Sequence, residues 1–502
     1  MPKLKNLVDG VVAIAPDADA VEFRGAWRPW RALRRGMDAV DAALSAAGAG
    51  EGARVGVLLR NHADLIGAIL SIVTSERCIV TLNALAPGDK LAAELEALRL
   101  PAVIGLDADW RTGALADAAK ATGTLALAVD EGGEAIAPVA GLNAIGSDPA
   151  RRTAPGIGIE MLTSGTTGAP KRVPLKTRNF ERMVLETAIY EKGRRGDDQP
   201  KLRGGVQILT APFAHIGGLL TLFTCICAGR KGALLERFSV EAFVDAVSRH
   251  RPKTAGAPPS ALRMLLDADV PKEKLSSLVV FRTGTAPLDP DLADAFLARY
   301  GIPVLQNYGA TEFAGGVAGW TLEDFKDHHK AKRGSVGRVH AGVEARIVDP
   351  ETGAPLAPGE TGLLELKAAH LGDGQWVRTT DLAALDEDRF LWIKGRHDNA
   401  IIRGGFKILP DDVVRAIELH PAIREASVVA LPDPRLGQVP AAAYIIKANA
   451  DAPSEEALRA FLRERLLPYQ LPVRLLAVAE FPRTPSMKVS QPDLQALFAA
   501  TP

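Results

Sequence analysis

The chain is poor in several features, and each shortage excludes a class of protein. It has three cysteines in 502 residues, too few for a disulfide-stapled secreted scaffold. Cys225 and Cys227 fall in an apolar run between Gly217 and Gly229 with no histidine or further cysteine at metal spacing, so both are expected as core thiols of a reduced, cytoplasmic protein. There is no excess of charge: 60 basic residues balance 60 acidic ones, which argues against nucleic acid or a membrane surface as partner. The apolar run from Gly217 to Ala228 falls short of the roughly 20 residues that cross a bilayer. The first residues, Met1-Pro-Lys-Leu-Lys-Asn-Leu7, lack the apolar centre of a signal peptide.

What is present is a globular composition, 47% hydrophobic, over a length that implies more than one domain. Apolar runs alternate with helical patterns from the start. Arg54–Leu59, Cys78–Leu82, Ala102–Leu106, Leu125–Val129 and Ile157–Leu162 read as buried parallel strands, with helices expected over 63–75 and 87–98 between them. Residues 131–153 read as a loop. The rhythm resumes with strands near 206–211, 278–281 and 304–306 and helices over 217–227, 238–249 and 290–300. From Gly334 the pattern changes to short alternating runs between Gly, Pro and Asp turns, as in Glu344–Val348 and Gly362–Lys367, which predict a small antiparallel unit. The last hundred or so residues mix short strands with helices near 410–419 and 454–466. The expected class is therefore α/β: a large N-terminal domain of doubly wound sheets plus a small β unit over 1–396, and a small, mobile α+β C-terminal domain over 397–502.

The densest chemistry lies in Met161-Leu-Thr-Ser-Gly-Thr-Thr-Gly-Ala-Pro-Lys171. Gly165 and Gly168 let backbone N–H groups approach phosphate oxygens, Thr163, Ser164, Thr166 and Thr167 add hydroxyl donors, and Lys171 adds a point charge. A flexible surface loop has the same composition. The run is not a Walker A loop, because Pro170 stands where the second glycine would fall. Gln306-Asn307-Tyr308-Gly309-Ala310-Thr311-Glu312 follows a strand, where ligands of open α/β sheets bind. Tyr308 offers a flat ring, Gly309 close approach, Thr311 a hydroxyl for phosphate and Glu312 a hard oxygen for Mg²⁺. Asp381 ends Trp376-Val-Arg-Thr-Thr-Asp381 and could accept from paired hydroxyls. His215 lies in Ala211-Pro-Phe-Ala-His-Ile-Gly-Gly218, and Lys488 in Phe481-Pro-Arg-Thr-Pro-Ser-Met-Lys-Val489.

Taken in order, these segments resemble the motifs of the adenylate-forming superfamily, which includes the AMP-forming acyl-CoA synthetases. The resemblance spans residues 163–489, continues more weakly upstream in Val57-Leu-Leu-Arg-Asn61 and Leu82-Asn83, and implies roles. The loop 163–171 would hold ATP phosphates. Thr283-Gly284-Thr285-Ala286-Pro287 and Asn307-Tyr308-Gly309 would flank the adenine, with Thr311 and Glu312 serving catalysis and Glu312 holding magnesium. Asp381 would bind ribose, although Thr380 replaces a glycine, and Arg396 would reach the nucleotide. Lys488 would be the catalytic lysine, although Met487 replaces a glycine and Ser490-Gln491 a basic residue. Asp398 would be the hinge, and Gly404-Gly405 would line the channel for coenzyme A. His215, also catalytic, would border an acyl pocket with Ala257, Arg282, Gly309, Phe313, Ala314 and Gly315. The implied cofactors are ATP, Mg²⁺ and coenzyme A, and the partner is a small carboxylic acid. Aryl, medium-chain and dicarboxylic acids stay open, as do a carrier-protein acceptor, nucleotide binding without turnover, and assembly of identical chains.

Overall fold

The structure, a computed structural model, describes residues 2–111, 113–147, 154–163, 171–186, 199–310, 313, 315–369, 371, 374–448, 450–484 and 488–500. The described residues form two compact units, one up to Gly337 and one from Arg338 onward. The division therefore groups the residues 343–396 with the C-terminal part.

Among the described residues the first unit holds three sheets. In the largest the strand order is Ile136–Pro138, Leu125–Val129, Ala102–Leu106, Arg54–Leu59, Cys78–Asn83, Ile157–Thr163, Lys171–Lys176. The inner pairings are parallel and the outermost two antiparallel. Its inner strands are apolar without alternation because both faces are covered, as the near-zero exposure of Val55, Val57, Leu58 and Leu59 shows. A second sheet runs Val206–Leu209, Lys231–Leu234, Asp19–Phe23, Ala26–Pro29. Here the early strand Asp19–Phe23 pairs in parallel with Lys231–Leu234, some two hundred positions away, a partner that local pattern does not reveal. A third runs Thr254–Gly256, Val280–Thr283, Val304–Ala310, Gly315–Gly319.

The second unit opens with an antiparallel meander of Val343–Val348, Thr361–Ala368, Val377–Leu385 and Leu391–Arg396. A further sheet has the order Phe406–Ile408, Ile401–Arg403, Gly437–Ile446, Ile423–Asp433, with Arg474–Ala477 beside Gly437–Ile446. The strand Gly437–Ile446 shows the period-two division directly. Ala442 and Tyr444 face a core completed by the helices Pro410–Glu418 and Glu455–Arg463, while Ala441, Ala443 and Ile445 face Phe481 and the helix Gln491–Ala500. Sequence pattern anticipates the first two helices and not the third, nor the helices Pro2–Ile14 and Gly113–Thr122. Among the described residues no helix is long and apolar enough to cross a membrane.

Aromatic side chains are scarce, yet four of them form one row under the third sheet. Phe243, Phe281, Phe296 and Tyr300 follow at centroid spacings of 5.9, 5.3 and 4.8 Å, and Phe281 is fully buried in the middle. Phe281→Ala removes the central ring and leaves a void that close packing cannot fill. The expected cost is about 3–5 kcal/mol, read as a lowered urea midpoint of the first unit; an unchanged midpoint would contradict the packing.

Candidate nucleotide and acid site

The parallel strands of the first unit present their carboxyl ends in a row, and side chains tie one end to the next. Thr210, just past Val206–Leu209, donates from Oγ1 to the Gly256 carbonyl at 2.6 Å. The Ala257 N–H donates to the Arg282 carbonyl at 3.2 Å, and Thr283 Oγ1 returns a bond to the Ala257 carbonyl at 2.9 Å. Gly284 then lies against the next strand end: a Cβ there would sit 2.7 Å from Asn307 Oδ1 and 3.0 Å from its carbonyl. Thr285 follows, exposed and held at φ 70°. That conformation is costly for a β-branched residue and persists where surrounding structure imposes it, a pattern that concentrates at functional sites. Thus Gly284 and Asn307, from two motifs expected around one base, lie against each other, with Thr285 and Ala286 following the first and Tyr308 and Gly309 the second.

The same edge carries Tyr308, Gly309 and Phe313, of which Gly309 and Phe313 are expected on the acid side. Tyr308 is half-buried, its ring 6.4 Å from that of Phe313. Gly309 faces Gly315 so closely that a Cβ on Gly309 would fall 2.0 Å from the Gly315 carbonyl. A Cβ on Gly315 would in turn meet Met183 Cε at 2.3 Å and Leu220 Cδ2 at 3.6 Å. Leu220 lies on the helix Ile216–Cys227, which starts at His215. So the His215 helix and the strand Gly315–Gly319 share a wall, and Met183 and Leu220 belong to it. Sequence reasoning missed both; their signal was only one apolar residue within a helix, amphipathic for Met183 and largely apolar for Leu220.

The loop expected to bind phosphate is framed rather than seen. Ile157–Thr163 and Lys171–Lys176 pair antiparallel, with Thr163 opposite Lys171. The return strand is pinned by Arg172, which donates to the Thr81 carbonyl at 3.1 Å and to Glu94 at 2.5 Å. Ser164, Gly165, Thr166, Thr167 and Gly168 lie outside the described residues, as do Thr311, Glu312, Ala314 and Met487.

The second unit carries the remaining candidates. Asp381 and Arg396 are register partners on adjacent antiparallel strands. The Asp381 N–H donates to Thr379 Oγ1 at 3.0 Å, and that hydroxyl donates onward to the Leu364 carbonyl at 2.9 Å. The His397 N–H donates to the Thr380 carbonyl at 2.7 Å. Arg396 forks onto Asp398 with bonds of 2.8 and 2.6 Å. Burial pushes the Asp398 carboxyl up, and the Arg396 guanidinium outweighs it and holds the group below the usual carboxylate range. Nearby, Asp411 packs its carboxylate against Gly395, and burial raises its pKa, with Arg415 opposing and Asp412 and Asp381 adding to the rise. Gly404 and Gly405 form the turn between two short strands at φ 55° and 89°, a left-handed pair that glycine adopts without strain. Lys488 is exposed, and its backbone closes a small hairpin: its carbonyl accepts from Thr484 N–H at 2.8 Å and Thr484 Oγ1 at 3.2 Å.

With this geometry in hand, comparison with known proteins assigns the class. The fold is that of ATP-bound MatB from Rhodopseudomonas palustris, with a TM-score of 0.82 at 22% identity over 99% of both chains. The AMP-binding enzyme family matches residues 9–376, and its C-terminal domain matches residues 415–488; the chain belongs to this family. Peroxisomal OPC-8:0-CoA ligase 1 of Arabidopsis thaliana is 31% identical over 66% of this chain and 63% of its own length. 4-Coumarate–CoA ligase 3 of Oryza sativa subsp. japonica is 30% identical over 67% and 63%. The matched region thus spans just under two thirds of these curated relatives.

On the strand next to that of Asp381, the meander is clamped by Glu365, which is nearly buried and paired with Arg346 at 2.7 Å and Arg378 at 2.9 Å. Burial pushes this carboxyl up, and the two arginines overcome it and hold its pKa below the ordinary value. The clamp therefore adds stability above the unfolded carboxylate range, near pH 4, and loses it as pH falls through the lower folded value. Glu365→Gln is expected to melt below wild type at about pH 7, with the gap closing below about pH 4. A gap that widens in acid would reverse the sign of the linkage.

Proposed function

We propose that the protein is an AMP-forming acyl-CoA synthetase, activating a carboxylic acid as its acyl-adenylate and passing the acyl group to coenzyme A. The observation that carries this is the close approach of Gly284 to Asn307, in a chain that the AMP-binding enzyme family and its C-terminal domain match over residues 9–376 and 415–488. The names of the curated relatives, both CoA ligases, favour coenzyme A over a carrier protein as acceptor. Three buried free thiols fit a reducing, cytoplasmic setting.

In this scheme residues 163–171 hold the β- and γ-phosphates through backbone N–H groups, hydroxyls and Lys171. Gly284, Thr285, Ala286 and Tyr308 enclose the adenine, whose flat face suits the half-buried ring at a strand end. Asp381 accepts from the ribose hydroxyls, its backbone fixed by Thr379. Arg396 moves between Asp398 and the nucleotide's phosphates. Lys488 lies between the acid's carboxylate and the α-phosphate, where two anions must approach; a positioned cation offsets that charge and the charge that builds as pyrophosphate leaves. Magnesium, with Glu312 as ligand and Thr311 beside it, neutralises phosphate charge when bound. A turn about Asp398 exchanges Lys488 for Gly404-Gly405, whose lack of side chains gives a thiol passage to the acyl carbonyl. The 1–396 and 397–502 division belongs to this proposal. Met183 and Leu220 against Gly315 make an apolar wall, which favours an aryl or medium-chain acyl group over a short dicarboxylate.

Incubation with ATP, magnesium, coenzyme A and a panel of 4-coumarate, benzoate, octanoate and malonate tests the function. AMP and acyl-CoA are expected with an aromatic or eight-carbon acid and not with malonate; no AMP with any acid would sink the proposal. Lys488→Ala is expected to slow adenylate formation by about 10²–10³-fold while leaving thioester formation from supplied acyl-adenylate largely intact. Equal loss in both half-reactions would remove Lys488 from its role.

A further inference from the structure

Asn61 stands two residues beyond the strand Arg54–Leu59 and is 5% exposed. Its amide is engaged on three sides, each time by a segment more than a hundred positions away. Nδ2 donates to the Leu235 carbonyl at 3.0 Å and to the Ala211 carbonyl at 3.3 Å, while Oδ1 accepts from the Phe213 N–H at 2.9 Å. A primary amide offers two donors and an acceptor at one carbon, and this position uses all of them. Aspartate would accept but not donate; leucine would do neither.

The place of these bonds gives them meaning. Ala211 and Phe213 flank Pro212, which has no N–H of its own. The Pro212 carbonyl accepts from the His215 N–H at 2.9 Å, and a Cβ on Gly218 would fall 2.0 Å from that same carbonyl. The turn from Ala211 to Gly218 therefore has little slack. It is held on one side by Asn61 and on the other by the Thr210 bond to Gly256. Directly after it the helix Ile216–Cys227 carries Leu220 to Gly315.

We propose that Asn61 is a positioning residue for the acid side of the site: by clamping Ala211 and Phe213 it fixes His215 and the first turn of its helix, and through them the width of the acyl pocket. It touches neither acid nor nucleotide in this scheme. The inference rests on the placement of His215 at the acyl pocket proposed above. Loss of the clamp lets His215 and Leu220 shift while the adenine-side ties at Thr283, Gly284 and Asn307 stay as they are. The consequence is specific: affinity for the acid falls and affinity for ATP does not.

The test is steady-state AMP release with the acid of the panel that gives the fastest rate, varying acid and ATP in turn, for Asn61→Ala, Asn61→Asp and His215→Ala. Asn61→Ala is expected to raise the KM for the acid about tenfold, since displacement of a positioning group by an ångström costs on that scale or more, with the KM for ATP unchanged. Asn61→Asp, which keeps the bond to Phe213, is expected to lie between. A merely structural role would lower the melting temperature and the active fraction, leaving both KM values alone, and that outcome overturns the inference, as does a parallel rise in both. A flat acid KM in His215→Ala removes the placement of His215 and the inference with it. A raised one there with a flat one in the Asn61 variants overturns the inference alone. If Asn61→Ala does not fold, Asn61→Asp is judged by the same acid-against-ATP split.

Discussion

Parallel strands leave their carboxyl ends without hairpins, so nothing in the sheet itself fixes where the following loops go. In the first unit that gap is closed by side chains acting between neighbouring strand ends. Asn61 reaches the 211–213 turn, Thr210 reaches Gly256, and Thr283 reaches Ala257. Each bond is short and spans segments distant in sequence, so each resists sliding of one strand end past the next. The junction of Gly284 with Asn307 depends on this row, because a displacement of Thr283 would carry the turn after it away from the neighbouring strand. The glycines at 284 and 309 are the other half of the same constraint: with the ends held this close, no side chain fits there.

The second unit meets a different demand. Its meander is antiparallel and joined by turns, so register there is set locally and charge decides the rest. Glu365 gathers Arg346 and Arg378 on the meander, and Asp398 gathers Arg396 at its end. These pairs differ in exposure. The Glu365 carboxylate is nearly buried and two arginines offset that burial, whereas the Arg396–Asp398 pair is half in water, where an ion pair contributes little and is easily exchanged. A cation held that loosely suits a proposed role in which it must pass to a nucleotide.

Much of this was legible from residue pattern. Arg54–Leu59, Ala102–Leu106 and Leu125–Val129 stand where their unbroken apolar runs put them, and the helix at 290–300 begins on Pro290 and ends before Gly301. The meeting of the segments around Gly284 and Asn307 was expected from the motifs that carry them. The strand Asp19–Phe23 could not be placed beside Lys231–Leu234, because that pairing joins segments some two hundred positions apart and local pattern carries no trace of it. The helix Gln491–Ala500 escaped for a related reason: it buries only Leu494 and Phe498 and so leaves a faint stripe. Met183 and Thr379 were hidden because their importance is relational, and Asn61 fell in the run Val57–Asn61, whose resemblance to the family gave it no role. A buried asparagine or threonine has no signature until the carbonyls around it are known.

The departures near Lys488 have a structural account of the same kind. Ser490 and Gln491 replace a basic residue, and both are used. Ser490 Oγ bonds Asp493 at 2.6 Å and the Ser490 carbonyl accepts from Leu494, starting the last helix, while Gln491 donates to Ser427 on the strand Ile423–Asp433. Arg483, on the opposite limb, forks onto Glu425 at 2.7 Å. The hairpin that bears Lys488 is thus anchored on both limbs, to the strand Ile423–Asp433 from each side. Its anchoring comes from the residues that depart from the family pattern as much as from those that keep it, so the substitution at 490–491 changes how the lysine's support is built rather than whether it has one.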